Sequence, residues 1–352
     1  LHRNNVKQRI NVAQLGCGYW GPNLLRNFVA ADRCDVKIVI EQSTERQDFV
    51  KQRYPDVAVS SDWHDAINDP DIDVIVIATP AASHFELGMA ALQAGKHIFV
   101  EKPLALNVAQ VDAMGEIAEI NDLTIMVGHT CIYNPAVVSA RNIIRSGELG
   151  QTLYMSSRRL ALGMVRTDVN AWWNLAPHDL SMLVYLMDDV MPKTISATGG
   201  AFLNPGIEDI VFATLEWDSG VRALIHVSWL DPSRERKLSI VGDRKMLTFD
   251  DIADNRLILH DRRIDIDRSN EHPVASYHNN GAISIPVENH EPLRVEVDHF
   301  VECVINNSQP ETGIRHSRDI VAILEAGQKS LDTGQATEIN VLNRGKKPLI
   351  ST

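Results

Sequence analysis

Cysteine is scarce. Four occur in 352 residues, at Cys17, Cys34, Cys131 and Cys303, and none forms a Cys-x-x-Cys pair. That spacing signals neither a zinc ribbon nor a disulfide framework, so four reduced thiols are expected. The 13 histidines show no His-Glu-x-x-His or comparable ligand spacing, and no metal is expected. No apolar run approaches the roughly 20 residues of a membrane helix, so no membrane partner is expected. The stretch Leu1-His2-Arg3-Asn4-Asn5 lacks the apolar core of a signal peptide, and a cytoplasmic location is expected. Positive charge is also short: 34 Lys and Arg face 46 Asp and Glu, a net charge of −12. A phosphate backbone needs a basic field, so nucleic acid is not an expected partner. No internal repeat or low-complexity tract is present.

What remains is an ordinary globular composition, 44% hydrophobic and 23% charged, in a chain long enough for two domains. Up to about residue 130, short apolar runs alternate with helical patterns. The strands read as Val12 to Leu15, Val36 to Ile40, Val57 to Val59, Val74 to Ala78, His97 to Val100 and Thr124 to Val127. Near-continuous apolar strands imply a parallel sheet covered on both faces by helices. After Gly150 the strands become longer and alternating, with turn signals such as Asp218-Ser219-Gly220 between neighbours, which reads as an open antiparallel sheet. Residues 268–291 are polar and read as a loop, and two helices, about 292–306 and 317–333, close the chain. The fold class expected is α/β: a doubly wound parallel sheet over residues 1–130, then an α+β substrate and oligomerisation domain over 131–352.

The most informative stretch joins the first strand to the first helix. Val12 to Leu15 runs into Gly16-Cys17-Gly18-Tyr19-Trp20-Gly21, and a helical pattern follows through Leu24, Leu25, Phe28 and Val29. Strand, three spaced glycines and helix is the order of a dinucleotide pyrophosphate site. The first glycine makes the tight turn, the second admits the phosphate, and the third lets helix and strand pack closely. Glu41 follows the next strand, 20 residues after Gly21, where an acid takes the ribose hydroxyls of NAD and repels a 2′-phosphate. NAD is the cofactor expected. Strand His97 to Val100 ends in Glu101-Lys102-Pro103, and residues just past the carboxyl ends of parallel strands line the ligand crevice.

Gly16-x-Gly18-x-x-Gly21, Ala78-Thr79-Pro80 with His84, Ala94-Gly95-Lys96-His97 and Glu101-Lys102-Pro103 together resemble the glucose–fructose oxidoreductase/inositol dehydrogenase (Gfo/Idh/MocA) family. The resemblance covers nearly the whole chain. It implies a Rossmann domain followed by a domain on an open antiparallel sheet, a catalytic Lys102, and commonly a cis Lys–Pro bond. It also implies a cofactor site that includes Tyr19, Trp20, Thr79, Pro80, His84 and Glu101.

The same resemblance places a second catalytic residue in Trp172-Trp173-Asn174-Leu175-Ala176-Pro177-His178-Asp179. His178 suits acid–base work because imidazole titrates near neutral pH. Pro177 is tolerated early in a helix, so His178 is expected in a first turn, where the helix dipole keeps the ring neutral. Asn174 stands where the family more often has Asp. It is a good helix cap, and it cannot stabilise imidazolium by charge, which turns attention to Lys102 as the proton acceptor. Asp179 is expected to face away from His178. The segments GYWGPN, GHTxxYNP, RxDVN and LAPHD look like the branch containing UDP-N-acetylglucosaminuronate 3-dehydrogenases. That likeness implies a substrate site of Tyr133, Arg158, Arg166, Asp168, Asn170, Trp172, Asn174 and His178, with Arg158, Arg159 and Arg166 as candidates to grip a diphosphate.

The expected function is NAD-dependent oxidation of a ring hydroxyl, at C3, of a nucleotide-linked sugar such as a UDP-N-acetyl-hexuronate. Alternatives are a free-sugar or cyclitol dehydrogenase, an NAD-dependent glycosidase, or a non-catalytic NAD-binding regulator. The partner expected is a small-molecule sugar or nucleotide sugar. A homodimer or homotetramer is expected to cover the exposed sheet face.

Overall fold

A computed structural model describes residues 9–269 and 272–341. Among these residues the chain forms two compact units, one of residues 9–134 and 289–321, the other of 135–288 and 322–341. Residues 289–321 therefore pack with the amino-terminal unit, although they follow the second sheet in sequence.

The first unit is built on six parallel strands: β1 Ile10–Leu15, β2 Cys34–Ile40, β3 Ala58–Ser60, β4 Val74–Ile77, β5 His97–Val100 and β6 Ile125–Val127. Their order is β3-β2-β1-β4-β5-β6. This is the doubly wound arrangement in which strand order reverses beside β1, leaving a ligand crevice past the carboxyl ends. All four residues of β4 are buried, as a strand covered on both faces must be. Helices α1 Gly21–Ala30, α2 Thr44–Arg53, α3 His64–Ile67, α4 His84–Gln93 and α5 Val108–Ile120 connect the strands. Phe28 of α1 and Phe99 of β5 meet edge to face at 5.6 Å. Phe300 lies 6.2 Å from Phe28 and 5.4 Å from Phe99. That aromatic cluster is the physical reason the late segment belongs to this unit.

The second unit opens with α6 Pro135–Arg145 and carries a nine-stranded sheet. Its strands are β7 Thr152–Leu162, β8 Thr194–Gly200, β9 Ile210–Glu216, β10 Arg222–Ser228, β11 Leu230–Gly242, β12 Met246–Asp250, β13 Leu257–Asp267, β14 Val274–Ser284 and β15 Thr337–Glu338. The order is β14-β13-β12-β11-β7-β10-β9-β8-β15. The sheet is antiparallel except for the pairing of β7 with β10, which is parallel. Helix α7 Ala171–Leu186 covers one face. The late helices are α8 Pro292–Asn306 and α9 Ile314–Thr333.

One expectation is corrected here. The polar stretch 268–291 holds β14, which pairs with β13 from Asp267↔Val274 to Ile258↔Ser284. Strand β13 itself runs on to Asp267 through the alternating Ile264 and Ile266. A ribbon at a sheet edge with both faces wet needs few apolar residues, so polarity alone misread it. Among the described residues no helix is long and apolar enough to cross a membrane.

Candidate active site

In the first unit the glycine turn is built as a cradle. Gly16 sits at φ +90°, and a Cβ there would lie 2.7 Å from the carbonyl oxygen of Ala78. A Cβ on Gly21 would lie 2.7 Å from the Gly16 carbonyl oxygen, so the helix start and the turn touch backbone to backbone. Gly18 differs, since nothing lies within 4 Å of its Cβ position. That is open space at the one glycine expected to face phosphate. Buried Gln14 braces the turn, its amide donating to the carbonyls of Gly16 at 2.8 Å and Gly21 at 3.0 Å. Sequence reasoning passed over it, although a polar residue inside an apolar strand was the available signal.

Glu41 lies just past β2. One carboxylate oxygen accepts the Cys17 N–H at 2.6 Å, the other the Ser43 N–H at 2.9 Å. These bonds hold the carboxylate against the glycine turn and leave lone pairs for ribose hydroxyls. Tyr19 is 79% exposed, while Trp20 is a helix cap without a side-chain cap bond. Past β4, Thr79 bonds Ser83 through their hydroxyls at 2.7 Å. The buried His84 ring spans the Thr79 carbonyl at 2.9 Å and the Pro103 carbonyl at 2.8 Å. Burial first, and the charge of Lys102 last, push His84 below its ordinary pKa, so the ring is neutral near pH 7 and donates to one carbonyl. His84 ties the loop after β4 to the loop after β5.

Lys102 follows β5, and the Lys102–Pro103 bond is cis. Glu101 is half-buried, with its Oε1 shielded from solvent. Burial pushes its carboxyl up to about 7, against the opposing pull of the Lys102 charge, the Lys102 N–H and the Trp20 side chain. Glycine turn, Glu41, Thr79 and Lys102 all follow carboxyl ends of β1, β2, β4 and β5, one edge of a parallel sheet. A turn with room for phosphate at a helix start and an acid for ribose fit a dinucleotide. Tyr133 is buried, its hydroxyl 3.2 Å from Thr312 Oγ1 and its ring beside His299.

In the second unit the expected geometry shifts. Helix α7 begins at Ala171, not beside Asn174. Its cap is Asn170, whose side chain accepts the Trp173 N–H at 3.1 Å and donates to Glu208 and Gln328. His178 therefore stands in the third turn, and the first-turn dipole argument does not apply to it. Pro177 lies inside the helix, where it cannot donate to the Trp173 carbonyl and its ring crowds that carbonyl. Trp172 is fully buried and donates to the Leu324 carbonyl at 3.0 Å, so it packs the core instead of stacking on a ligand.

The arginines also sort differently. Arg159 is buried and paired with Asp179 at 2.7 Å, and Ser157 donates to the same carboxylate at 2.6 Å. Asp179 thus belongs to the contact of α7 with β7. Because strand side chains alternate, Arg158 and Ser156 point to the opposite, open face of the sheet. There they line a shallow cavity of about 260 Å³ with Thr198, Phe212, Leu224 and His226. Arg158 is thus on the far side of the sheet from α7. Arg166 closes its fork on Asp168, at 2.8 and 2.7 Å, with both side chains about one-third exposed.

Residues 10–129 match the family model for the oxidoreductase family with an NAD-binding Rossmann fold, GFO_IDH_MocA, and residues 137–248 match its C-terminal domain. The chain belongs to the Gfo/Idh/MocA oxidoreductase family. It is 28% identical to an uncharacterized oxidoreductase, YdgJ, of Escherichia coli K12, over 68% of this chain and 70% of that one. It is 23% identical to the scyllo-inositol 2-dehydrogenase (NAD(+)) of Bacillus subtilis 168, over 87% and 89%. Its fold is shared with UDP-N-acetylglucosamine 3-dehydrogenase GnnA of Acidithiobacillus ferrooxidans, with a TM-score of 0.77 at 20% identity, covering 92% and 98%. The protein is an NAD-binding oxidoreductase, and the Rossmann sheet and mixed second sheet are those of its family.

Proposed function

We propose that this oxidoreductase oxidises a ring hydroxyl of a neutral sugar or cyclitol. NAD, when bound, supplies the hydride acceptor. Gly18 and the start of α1 take its pyrophosphate, and Glu41 takes the ribose hydroxyls and disfavours a 2′-phosphate. Lys102 accepts the hydroxyl proton of the substrate. His178 is the second acid–base group, and Asn174 serves it by hydrogen bonding, since an amide offers no charge.

The observation that carries this reading is Lys102 at the same sheet edge as the glycine cradle and Glu41. Neutrality of the substrate is supported by the arginines: Arg158 faces away from α7, Arg159 is consumed by Asp179, and the Arg166 fork is closed on Asp168. The inositol dehydrogenase relative is consistent with it. A second reading, a nucleotide-linked sugar oxidised at C3, is favoured by the RxDVN segment and by the fold shared with GnnA; it requires Arg166 to leave Asp168 for a phosphate. In either case the exposed Tyr154, Phe212 and Leu224 on the open face of the sheet support a homodimer or homotetramer.

The test is a panel of sugars, cyclitols and nucleotide sugars incubated with NAD. The expected result is NADH in amount equal to the sugar oxidised, with a neutral polyol as best substrate. NAD binding with no turnover across the panel overturns the dehydrogenase reading in favour of a regulator, and turnover that regenerates NAD points to a glycosidase.

A further inference from the structure

Behind Lys102 the first unit holds polar groups that the proposed reaction does not use. Among the described residues five buried side-chain polar atoms have no hydrogen-bond partner, and three are here: Glu101 Oε1, Glu296 Oε1 and His129 Nδ1. Glu296 projects from α8, is fully shielded from solvent, and has one protein partner, the Thr130 hydroxyl, which donates to Oε2 at 2.6 Å. Glu101 packs so close that a Cβ on Gly128 would lie 3.0 Å from its orphaned oxygen. Gly128, against which Glu101 packs, and Thr130, which holds Glu296, are two residues apart, so the two carboxyls lie close together, and neighbouring shielded carboxyls do not readily both ionise. The donors decide which one keeps the proton. Glu101 has the Lys102 charge, a backbone N–H and the Trp20 side chain. Glu296 has a neutral hydroxyl.

We propose that Glu296 is a positioning residue for the Glu101–Lys102 pair: of the two carboxyls it is the one that stays protonated, so that when one of them ionises the negative charge resides on Glu101, against Lys102. The consequence for catalysis rests on Lys102 being the reacting lysine. The remaining neighbours are consistent with this division. Burial holds Glu296 well above the carboxylate range, and the charge of Glu101 raises it further. His129 is kept far below its usual range by burial, by His316 and by Lys102, so it brings no competing cation. Tyr133 is raised well above its own range by burial and then by Glu296, and stays a phenol.

The test is a carboxyl titration by NMR on full-length protein with ¹³C-labelled glutamate side chains and no cofactor added. Glu101 is expected to titrate near 7 and Glu296 to stay protonated through that range. Glu296→Gln, a neutral mimic, leaves the Glu101 midpoint within about half a unit, whereas Glu101→Gln lowers the Glu296 midpoint by about one unit or more. A merely structural role for Glu296 predicts no such movement. A fall of one unit in the Glu101 midpoint on Glu296→Gln overturns the assignment, because Glu296 would then have carried the charge. Glu296 unaffected by Glu101→Gln overturns the pairing itself. Lys102→Met separates this inference from the catalytic reading. It should raise the Glu101 midpoint whether or not Lys102 turns out to be essential for turnover, and an unmoved midpoint removes Lys102 from the pair even if turnover is lost.

Discussion

In the first unit the residues expected to bind or react follow the ends of strands, and the bonds they make, such as those of Glu41 and His84, brace the loops at that same edge. In the second unit the expected residues lie along α7 and the segment before it, and several are consumed by the fold. Asn170 caps a helix, Trp172 fills the core, and Arg159 neutralises Asp179. A strand end in a parallel sheet is a position where backbone turns and side chains are released toward ligand. A helix lying on a sheet must bury one face, so residues adjacent in sequence divide between packing and solvent. Motif spacing therefore carries more functional information in the first unit than in the second.

The sharpest way to break this contrast is Lys102→Met. Turnover should fall to background while NAD binding is largely kept, read by steady-state kinetics beside calorimetric titration. Near wild-type rates on a true substrate would remove the strand-end lysine from the chemistry. His178→Ala comes next, with an expected loss of about 10²–10⁴ in kcat if the helix contributes one acid–base group. A loss as complete as that of Lys102→Met would place the main proton acceptor on α7 and reverse the weight given to the two units.

The third change concerns residues of the helix that serve packing. Asp179→Ala removes the carboxylate that faces the buried Arg159 guanidinium, and breaking a buried ion pair costs about 3–5 kcal/mol. The measurement is denaturant unfolding, followed with the second unit's tryptophans. A change below about 1 kcal/mol would mean that Arg159 finds another acceptor, and that its burial beside α7 is not what fixes it.

The doubly wound sheet was legible in the sequence because most of its strands are short apolar runs, and because β1 leads into the glycine turn and β5 into Glu-Lys-Pro. The places of the glycine turn, Glu41 and Lys102 past strand ends were legible for the same reason. The start of α7 was not. Asn170 and Asn174 are both good caps, and the rule that proline sits early in a helix favoured the wrong one, whereas the structure accepts Pro177 in the interior. Strand β14 was hidden because an edge ribbon wet on both faces lacks a period-2 apolar signal. Glu296 had no signal at all. A single glutamate on an amphipathic helix reads as solvated, and its burial follows from where α8 packs, which no local pattern records.

The smallest expected effects come from the two arginines that the sequence treated alike, and they decide the substrate class. Arg158 is 56% exposed on the open face of the sheet, 3.4 Å from Glu235, so its pair is worth about 0–1 kcal/mol and Arg158→Ala should leave both KM and kcat unchanged. Arg166 precedes α7 in the same unit and is held by Asp168, whose carboxyl it keeps below the usual range. A diphosphate must displace that carboxylate to gain the fork, which makes the grip weaker than one from an unpaired arginine. If the substrate is neutral, Arg166→Ala should change KM by less than about threefold. If it is a nucleotide sugar, KM should rise by about tenfold or more with little change in kcat, because a remote phosphate contact is made equally in ground and transition states. Asp168→Asn sharpens the comparison. Freeing the fork should lower KM for a nucleotide sugar and leave the matching free sugar unaffected. Wild type preferring the nucleotide sugar, with both substitutions moving KM in these opposite directions, would replace the neutral polyol by the nucleotide-linked substrate.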